Sequence, residues 1–125
     1  MALHHAASGE IIPVLPLGAK LTDSPSVALL KAHQLEVMRL VLVAGKSVPE
    51  HHVAGELTMQ CLEGRIELRA HGKTQVLKPG DFVYLEGSVP YALHAAEHSS
   101  MLMTVVLLPD QSNGLAAKLG ELLGM

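Results

Sequence analysis

The side chains in this sequence that could do chemistry are grouped around two adjacent histidines, His51 and His52, with Glu56 close behind. Imidazole and carboxylate groups bind divalent transition metals, and a free imidazole also titrates near neutral pH. A metal site, however, needs three or four donors that converge at one point. The single cysteine, Cys61, lies on the next predicted strand without a neighbouring Lys or Arg, so we interpret it as a buried apolar side chain rather than a nucleophile.

Short β-rich runs separated by turn residues must position these groups. Branched aliphatic residues dominate the runs, and glycine-containing turns separate them, a pattern typical of an antiparallel sandwich or barrel. The predicted strands are Val27–Leu30, Leu35–Val43, Leu57–Leu62, Arg65–Ala70, Thr74–Leu77, Phe82–Leu85, Tyr91–Ala95 and Ser100–Leu108. The sequence therefore predicts an all-β domain.

Two segments flank this β region. Residues 1–26 form a proline-punctuated arm, and we expect its apolar run Ile11–Leu17 to dock on the domain or on a partner subunit. Residues 27–110 are assigned to the barrel. In residues 111–125, an N-cap signal and leucines at helical spacing predict a short helix over 113–123 that packs on the barrel. The whole chain is predicted to be one domain.

Composition excludes several classes of protein. The chain has 125 residues, is 49% hydrophobic and only 2% aromatic, and carries a formal net charge of −3. Without a basic block or aromatic stacking platforms, we expect no nucleic-acid binding. The longest apolar stretch, Leu35–Ala44, contains charges and is far shorter than the ~20 residues of a membrane span, so no membrane partner is expected. A single cysteine excludes an internal disulfide and fits a reducing cytoplasm, where we expect the protein to be located.

The segment from Gly45 to Gly64 resembles the first conserved block of the cupin family of small jelly-roll barrels. That block reads G, five residues, H-x-H, three or four residues, E, six residues, G. In this sequence Gly45 stands six positions before His51, and Leu57 stands seven positions before Gly64, so the frame of the block is kept.

Residues 78–93 resemble the second cupin block, which reads G-D, several residues, P-x-G, and a His a few residues later. Gly80-Asp81 opens it, and Pro90 stands where a proline often precedes the last His of the family. The resemblance covers roughly residues 27–108. It implies a double-stranded β-helix, the jelly-roll barrel of small RmlC-like cupins, with the predicted C-terminal helix added.

The resemblance also implies where a metal would be held, because cupins use the two His and the Glu of the first block and the His of the second. Those four positions carry His51, Val53, Leu57 and Tyr91 in this sequence. One imidazole, one phenol and two aliphatic side chains do not supply the donors that a transition metal needs. We therefore expect no metal cofactor at the usual cupin position.

A shift of one residue gives the pattern Glu50-x-His52, three residues, Glu56, and so an alternative site for a divalent metal whose candidate ligands are His51, His52 and Glu56. This frame requires a bulge in the following strand. Strand alternation argues against it, because the slip would turn Leu57 and Met59 toward water, at about 1.5–3 kcal/mol for each exposed side chain.

The resemblance leads us to predict a cupin that binds a small, mostly apolar molecule in its barrel. The low charge content, the apolar arm and the exposed sheet edges predict a homodimer. His51 and Tyr91 would be the polar groups that orient this ligand, and aliphatic and Met side chains would form the walls. The predicted pocket consists of His51, Val53, Leu57, Met59, Tyr91, Met101 and Met103.

Two other functions stay open. The resemblance also implies a possible enzyme of the cupin dioxygenase, isomerase or decarboxylase type. Such an enzyme would use a metal at the shifted site or His51 as a general base. Alternatively, the barrel is filled by its own side chains and the domain is purely structural or sensing. Fold alone does not decide between these functions.

Overall fold

Two antiparallel sheets make up the barrel. The computed structural model describes residues 5–109, 119–120 and 122–123 of the chain. Its strands are β1 Val27–Lys31, β2 Leu35–Leu42, β3 Ser47–His51, β4 Leu57–Glu63, β5 Ile66–Ala70, β6 Lys73–Leu77, β7 Phe82–Leu85, β8 Tyr91–Ala95 and β9 Ser99–Val106. One sheet has five strands in the order β1-β2-β9-β4-β7, and the other has four in the order β3-β8-β5-β6. The all-β jelly-roll prediction is confirmed.

Strand alternation places aliphatic and Met side chains between the two sheets. On β4, the alternate residues Leu57, Met59 and Cys61 are buried, with at most 3% of each residue exposed. On β8, Tyr91 and Leu93 are buried in the same way. Because successive side chains of a strand point to opposite faces, this register fixes which residues fill the barrel.

Strand β3 was missed by the sequence prediction. It contains Pro49 and Glu50, which are both depleted in strands, and its pairing with β8 shifts register between Val48 and His51. Proline cannot donate a backbone hydrogen bond, but it is tolerated on an edge strand. Since β3 lies at the edge of the four-stranded sheet, tertiary pairing outweighs its weak local signal.

The N-terminal arm is held on the barrel by two side chains. The carboxylate of Glu63 accepts hydrogen bonds from the backbone N–H groups of Leu17, at 2.8 Å, and Gly18, at 2.9 Å, and from the Ser100 hydroxyl. The Arg39 guanidinium donates to the carbonyl oxygen of Leu15 at 2.8 Å. The arm therefore covers the outward-pointing Arg39, which leaves this charged residue only 6% exposed.

The predicted C-terminal helix lies mostly outside the described residues. Leu119, Gly120, Leu122 and Leu123 have helical conformation, and the Leu119 side chain is fully buried in the core. The extent of the helix over 113–123 stays a prediction. No helix in the described part of the chain is long and apolar enough to cross a membrane.

The Glu63 contacts predict a pH-dependent contribution to stability. Burial alone would raise the pKa of this carboxyl, but the bonds from Leu17, Ser100 and Gly18 and the nearby Arg39 lower it overall. Because the pKa of Glu63 is lower in the folded state, its contribution to stability is fully present above the unfolded-state pKa of about 4.3. That contribution is lost as the pH falls through the folded-state pKa. We expect Glu63→Gln to reduce the free energy of unfolding at pH 7 by about 1–2 kcal/mol.

Urea unfolding at pH 7 and at stepwise lower pH measures this effect. The control is Glu97→Gln, which removes an exposed ion pair with Arg65 and should change the free energy of unfolding by less than about 0.5 kcal/mol. Equal losses in the two variants at pH 7 would contradict a special role for Glu63.

Candidate functional site

The pairing of β3 with β8 brings the two predicted polar groups together. His51 ends β3 and Tyr91 begins β8, and the two residues are register partners. Their ring centroids are 4.4 Å apart, with an angle of 54° between the ring planes. His51 is 8% exposed and Tyr91 is completely buried. The barrel thus holds an imidazole against a phenol at one end of the four-stranded sheet.

The imidazole of His51 is oriented by its own strand. Its Nδ1 lies 3.0 Å from the carbonyl oxygen of Pro49. A carbonyl oxygen only accepts hydrogen bonds, so Nδ1 carries the proton in this contact. In the neutral ring the lone pair then resides on Nε2, which is the atom that would act as a base.

The Tyr91 hydroxyl is a buried polar group that finds no hydrogen-bond partner among the described residues. Burial raises the pKa of this phenol well above its ordinary value, so the hydroxyl stays protonated and is a hydrogen-bond donor at neutral pH. An unsatisfied buried polar group costs about 1–3 kcal/mol. Such a group indicates a position where an acceptor from a bound molecule would be favourable.

The predicted walls lie in the hydrophobic core. Met59 of β4 is the register partner of Met103 of β9, and Cys61 is the partner of Met101. The three methionines are fully buried. The aliphatic wall residues are also buried, with Val53 at 9% and Leu57 at 3% exposed. These side chains form one continuous apolar interior beside the His51–Tyr91 pair.

A buried carboxyl, Glu36, was missed by the sequence prediction. It is 1% exposed and shares strand alternation with Met38 and Leu40, which both belong to the core. On the five-stranded sheet Glu36 pairs with Val105, which pairs in turn with Leu57. The signal is present in the sequence, because Glu36 stands two positions before Met38 and therefore points to the same face of the strand.

Comparison with known proteins supports the family resemblance. The family model described as Cupin domain matches residues 38–107, which is more than half of the chain. The chain belongs to the cupin family. An uncharacterised protein of Aquifex aeolicus is 29% identical over 84 residues, which are 66% of this chain and 62% of that relative. The aligned region thus spans less than two thirds of the relative's length.

Solved structures share the cupin fold. A protein of unknown function from Streptococcus pyogenes superposes with a TM-score of 0.66 at 23% identity, over 86% of this chain and 98% of that chain. An RmlC-like cupin from Shewanella frigidimarina superposes with a TM-score of 0.65 at 16% identity, over 87% of this chain and 95% of that chain. A mutant of salicylate 1,2-dioxygenase from Pseudoaminobacter salicylatoxidans superposes with a TM-score of 0.61 at 20% identity, over 64% of this chain but only 25% of the enzyme. At these identities the likeness concerns the fold alone.

The metal that many cupins bind does not fit the residues at the family position. The donors there are the His51 imidazole and the Tyr91 phenol, whose raised pKa disfavours the phenolate that a metal would require. Val53 and Leu57 offer no donor atom. Among the described residues, no group of three or more His, Cys, Asp or Glu side chains could hold a metal ion.

The shifted set of His51, His52 and Glu56 is not brought together by the structure. His51 is buried, whereas His52 and Glu56 are exposed. Glu56 instead accepts a hydrogen bond from the Tyr84 hydroxyl at 2.5 Å. Strand β4 keeps the unshifted frame, in which Leu57 is buried.

Restoring the family donors should create a metal site in this chain. We expect the Val53→His, Leu57→Glu, Tyr91→His variant to bind Ni²⁺ near one equivalent, because its three new donors join His51 at buried positions that the fold already holds. Calorimetric titration of the folded variant measures this binding, with the unmodified protein as reference. The same variant with His51→Ala is the control and should bind much more weakly. If the folded variant does not bind Ni²⁺, the side chains at positions 51, 53, 57 and 91 do not converge on one point.

Proposed function

We propose that this cupin is a binding protein that holds a small, mostly apolar molecule in its barrel without a metal. The observation that carries this proposal is the buried Tyr91 hydroxyl, which has no hydrogen-bond partner among the described residues. As a protonated phenol it donates to an acceptor, so the ligand carries a carbonyl or ether oxygen. The His51 ring, 4.4 Å away, lies beside the same position.

The character of the walls supports an apolar ligand. Met59, Met101 and Met103 contribute flexible, polarisable side chains, which adapt to occupants of different shape more readily than branched residues do. Small-molecule sites are typically apolar with a few polar groups that fix orientation. In this proposal the methionines move to admit the ligand, and Tyr91 determines how it is oriented.

A filled structural barrel is the second candidate. It is favoured by the burial of every predicted wall residue, with at most 9% of any one exposed. In that case the Tyr91 hydroxyl is simply an uncompensated cost of the fold, retained because the phenol ring fills the core. The two candidates differ in whether removal of the hydroxyl affects binding.

An enzyme that uses His51 as a general base is a further alternative. The contact from Nδ1 to the Pro49 carbonyl fixes the ring and leaves Nε2 as the basic atom. A neutral Tyr91 hydroxyl beside it would stabilise a developing negative charge on the substrate by hydrogen bonding. Dioxygenases share this fold, but the donor set here supports a proton transfer rather than metal chemistry.

The hydroxyl can be tested directly with Tyr91→Phe. We expect the variant to be as stable as the parent or more stable, because it removes an unsatisfied buried group. Acetophenone, which has an acceptor oxygen, should bind the parent more tightly than the variant, whereas ethylbenzene, which has none, should bind both equally. Saturation-transfer NMR measures the binding, and native mass spectrometry detects any co-purified ligand.

The matched control is Tyr84→Phe, which removes an exposed hydroxyl and should leave acetophenone binding unchanged. If neither probe binds the parent, and no ligand co-purifies, the binding proposal is wrong and the filled structural barrel is favoured.

We also propose that the protein works as a homodimer whose contact includes the N-terminal arm. Ile11 and Leu15 are 90% and 74% exposed, although the arm itself is anchored through the Leu15 carbonyl. On the outer side of the same five-stranded sheet, Phe82 and Tyr84 of edge strand β7 are 63% and 50% exposed. Anchored apolar side chains in water favour burial against a second copy.

Charge placed on the arm should separate the subunits. We expect Ile11→Glu/Leu15→Glu to convert a dimer into a monomer at about 50 µM, because burying two carboxylates in an apolar contact is strongly unfavourable. The control, Val76→Glu, adds charge at an exposed aliphatic residue of the other sheet and should leave the dimer intact. Light scattering with size-exclusion chromatography measures the mass. A monomeric parent would refute the proposal.

The buried cysteine fits a location in the reducing cytoplasm, which forms part of this proposal. Cys61 is a fully buried free thiol. Burial, together with the nearby carboxylates of Asp81 and Glu63, raises its pKa, so the thiol is a poor nucleophile. We assign it a packing role in the barrel wall.

A further inference from the structure

The His51–Tyr91 pair presents two polar atoms to the interior of the barrel. The two residues are register partners on β3 and β8, and their ring centroids are 4.4 Å apart. The hydroxyl oxygen of Tyr91 and Nε2 of His51 lie at the ends of their rings that are farthest from the backbone, and both atoms are buried. A hydrogen bond reaches about 3 Å between heavy atoms, so one small molecule can contact both.

The two atoms have opposite hydrogen-bonding roles. Nδ1 of His51 donates its proton to the carbonyl oxygen of Pro49, so Nε2 of the neutral ring is an acceptor. The protonated hydroxyl of Tyr91 is a donor. It makes no hydrogen bond to His51 or to any other described residue, although the two rings are in contact. Two separate atoms of a ligand, an acceptor and a donor, would therefore complement the pair.

The surroundings of the pair favour a neutral ligand group. Burial raises the pKa of Tyr91, and no charged residue in the described part of the chain contributes to this rise. A carboxylate here would lose its hydration and would face the lone pair of His51 Nε2. An ammonium group has no acceptor to offer to the Tyr91 hydroxyl.

Among neutral groups, a lactam matches the pair most closely. Its carbonyl oxygen and its N–H lie side by side on one edge of the ring, so one can accept from Tyr91 while the other donates to His51. A hydroxyl group would have to serve both partners through a single oxygen atom. A primary amide carries a second N–H, which would be left unsatisfied in an apolar barrel and would weaken binding.

The walls of the barrel favour an aromatic frame for this lactam. Met59, Met101 and Met103 are fully buried on the five-stranded sheet, which faces the sheet that carries Tyr91. Thioether sulfur atoms make favourable contacts with aromatic rings. Tyr91 is the one aromatic residue of the core in the part of the chain that the structure describes, so a ligand ring would supply the methionines with a partner.

We propose that the barrel binds a small lactam fused to an aromatic ring. The lactam carbonyl accepts a hydrogen bond from the Tyr91 hydroxyl, and the lactam N–H donates to Nε2 of His51. The aromatic frame packs against the methionines. This inference rests on the proposed binding function and names the class of ligand that the same site takes.

Four molecules of nearly the same bicyclic shape test the proposal. Oxindole has the carbonyl and the N–H, 2-indanone only the carbonyl, 2-indanol only a hydroxyl, and indane no polar group. NMR titration of isotope-labelled protein measures the four affinities. We expect oxindole to bind about three- to tenfold more tightly than 2-indanone, because one hydrogen bond is added, and indane to bind most weakly.

Substitutions assign this preference to His51. His51→Leu removes the acceptor and should bring the ratio of the affinities for oxindole and 2-indanone close to one. The control, His94→Leu, removes an imidazole from the outward face of β8, where Nδ1 lies 2.7 Å from the Ser47 hydroxyl, and should leave the ratio unchanged. Tyr91→Phe should weaken the binding of both molecules by a similar factor, because both carry the carbonyl.

Nitrogen NMR of the histidine rings tests the acceptor role without relying on an affinity. We expect Nε2 of His51 to be unprotonated in the free protein, and its resonance to shift more on addition of oxindole than of 2-indanone. If the neutral His51 ring carries its proton on Nε2, the lactam inference is wrong whether or not any ligand binds.

The outcomes separate this inference from the proposed function. If 2-indanone binds the parent more tightly than it binds Tyr91→Phe but oxindole has no advantage, the binding function is supported and the lactam inference is wrong. Tighter binding of 2-indanol than of oxindole would indicate a hydroxyl ligand and would also overturn the inference. If none of the four molecules binds the parent, both proposals are wrong.

Discussion

The two-residue alternation of the paired strands is the constraint on which the rest of this structure depends. On β4 it directs Leu57, Met59 and Cys61 into the barrel and leaves Glu56 outside. On β2 it directs Glu36 inward together with the core residues. A slip of one residue would reverse every one of these positions, so the apolar content of one strand face determines the chemistry of the site.

This constraint explains why the cupin barrel persists here without the cupin donor set. The barrel is stabilised by burial of aliphatic and Met side chains, and that burial does not depend on which atoms occupy the ligand positions. Val53 and Leu57 extend the apolar interior, while the Tyr91 phenol fills volume and keeps one polar atom inside. In the proposed binding role, hydrogen bonding by Tyr91 takes the place of metal chemistry.

The outer surfaces of the two sheets differ in their content of exposed apolar and charged side chains. The outer side of the five-stranded sheet combines an anchored apolar arm with the exposed aromatic rings of Phe82 and Tyr84, so it is suited to contact with protein. The four-stranded sheet carries a concave polar surface with charges of both signs, from Glu50, Glu67 and Arg69. Burial against protein would remove apolar area of the first face from water, whereas the charged groups of the second face stay solvated.

The sequence by itself determined the all-β class, most strands and the inward position of His51, because periodicity and glycine turns are local signals. It did not reveal β3, whose proline and bulge are acceptable only at a sheet edge. Only the tertiary structure showed that the His51 and Tyr91 rings meet at a tilted angle and that Glu36 is buried. These features arise from strand pairing and loop contacts between residues far apart in the chain, which no local pattern encodes.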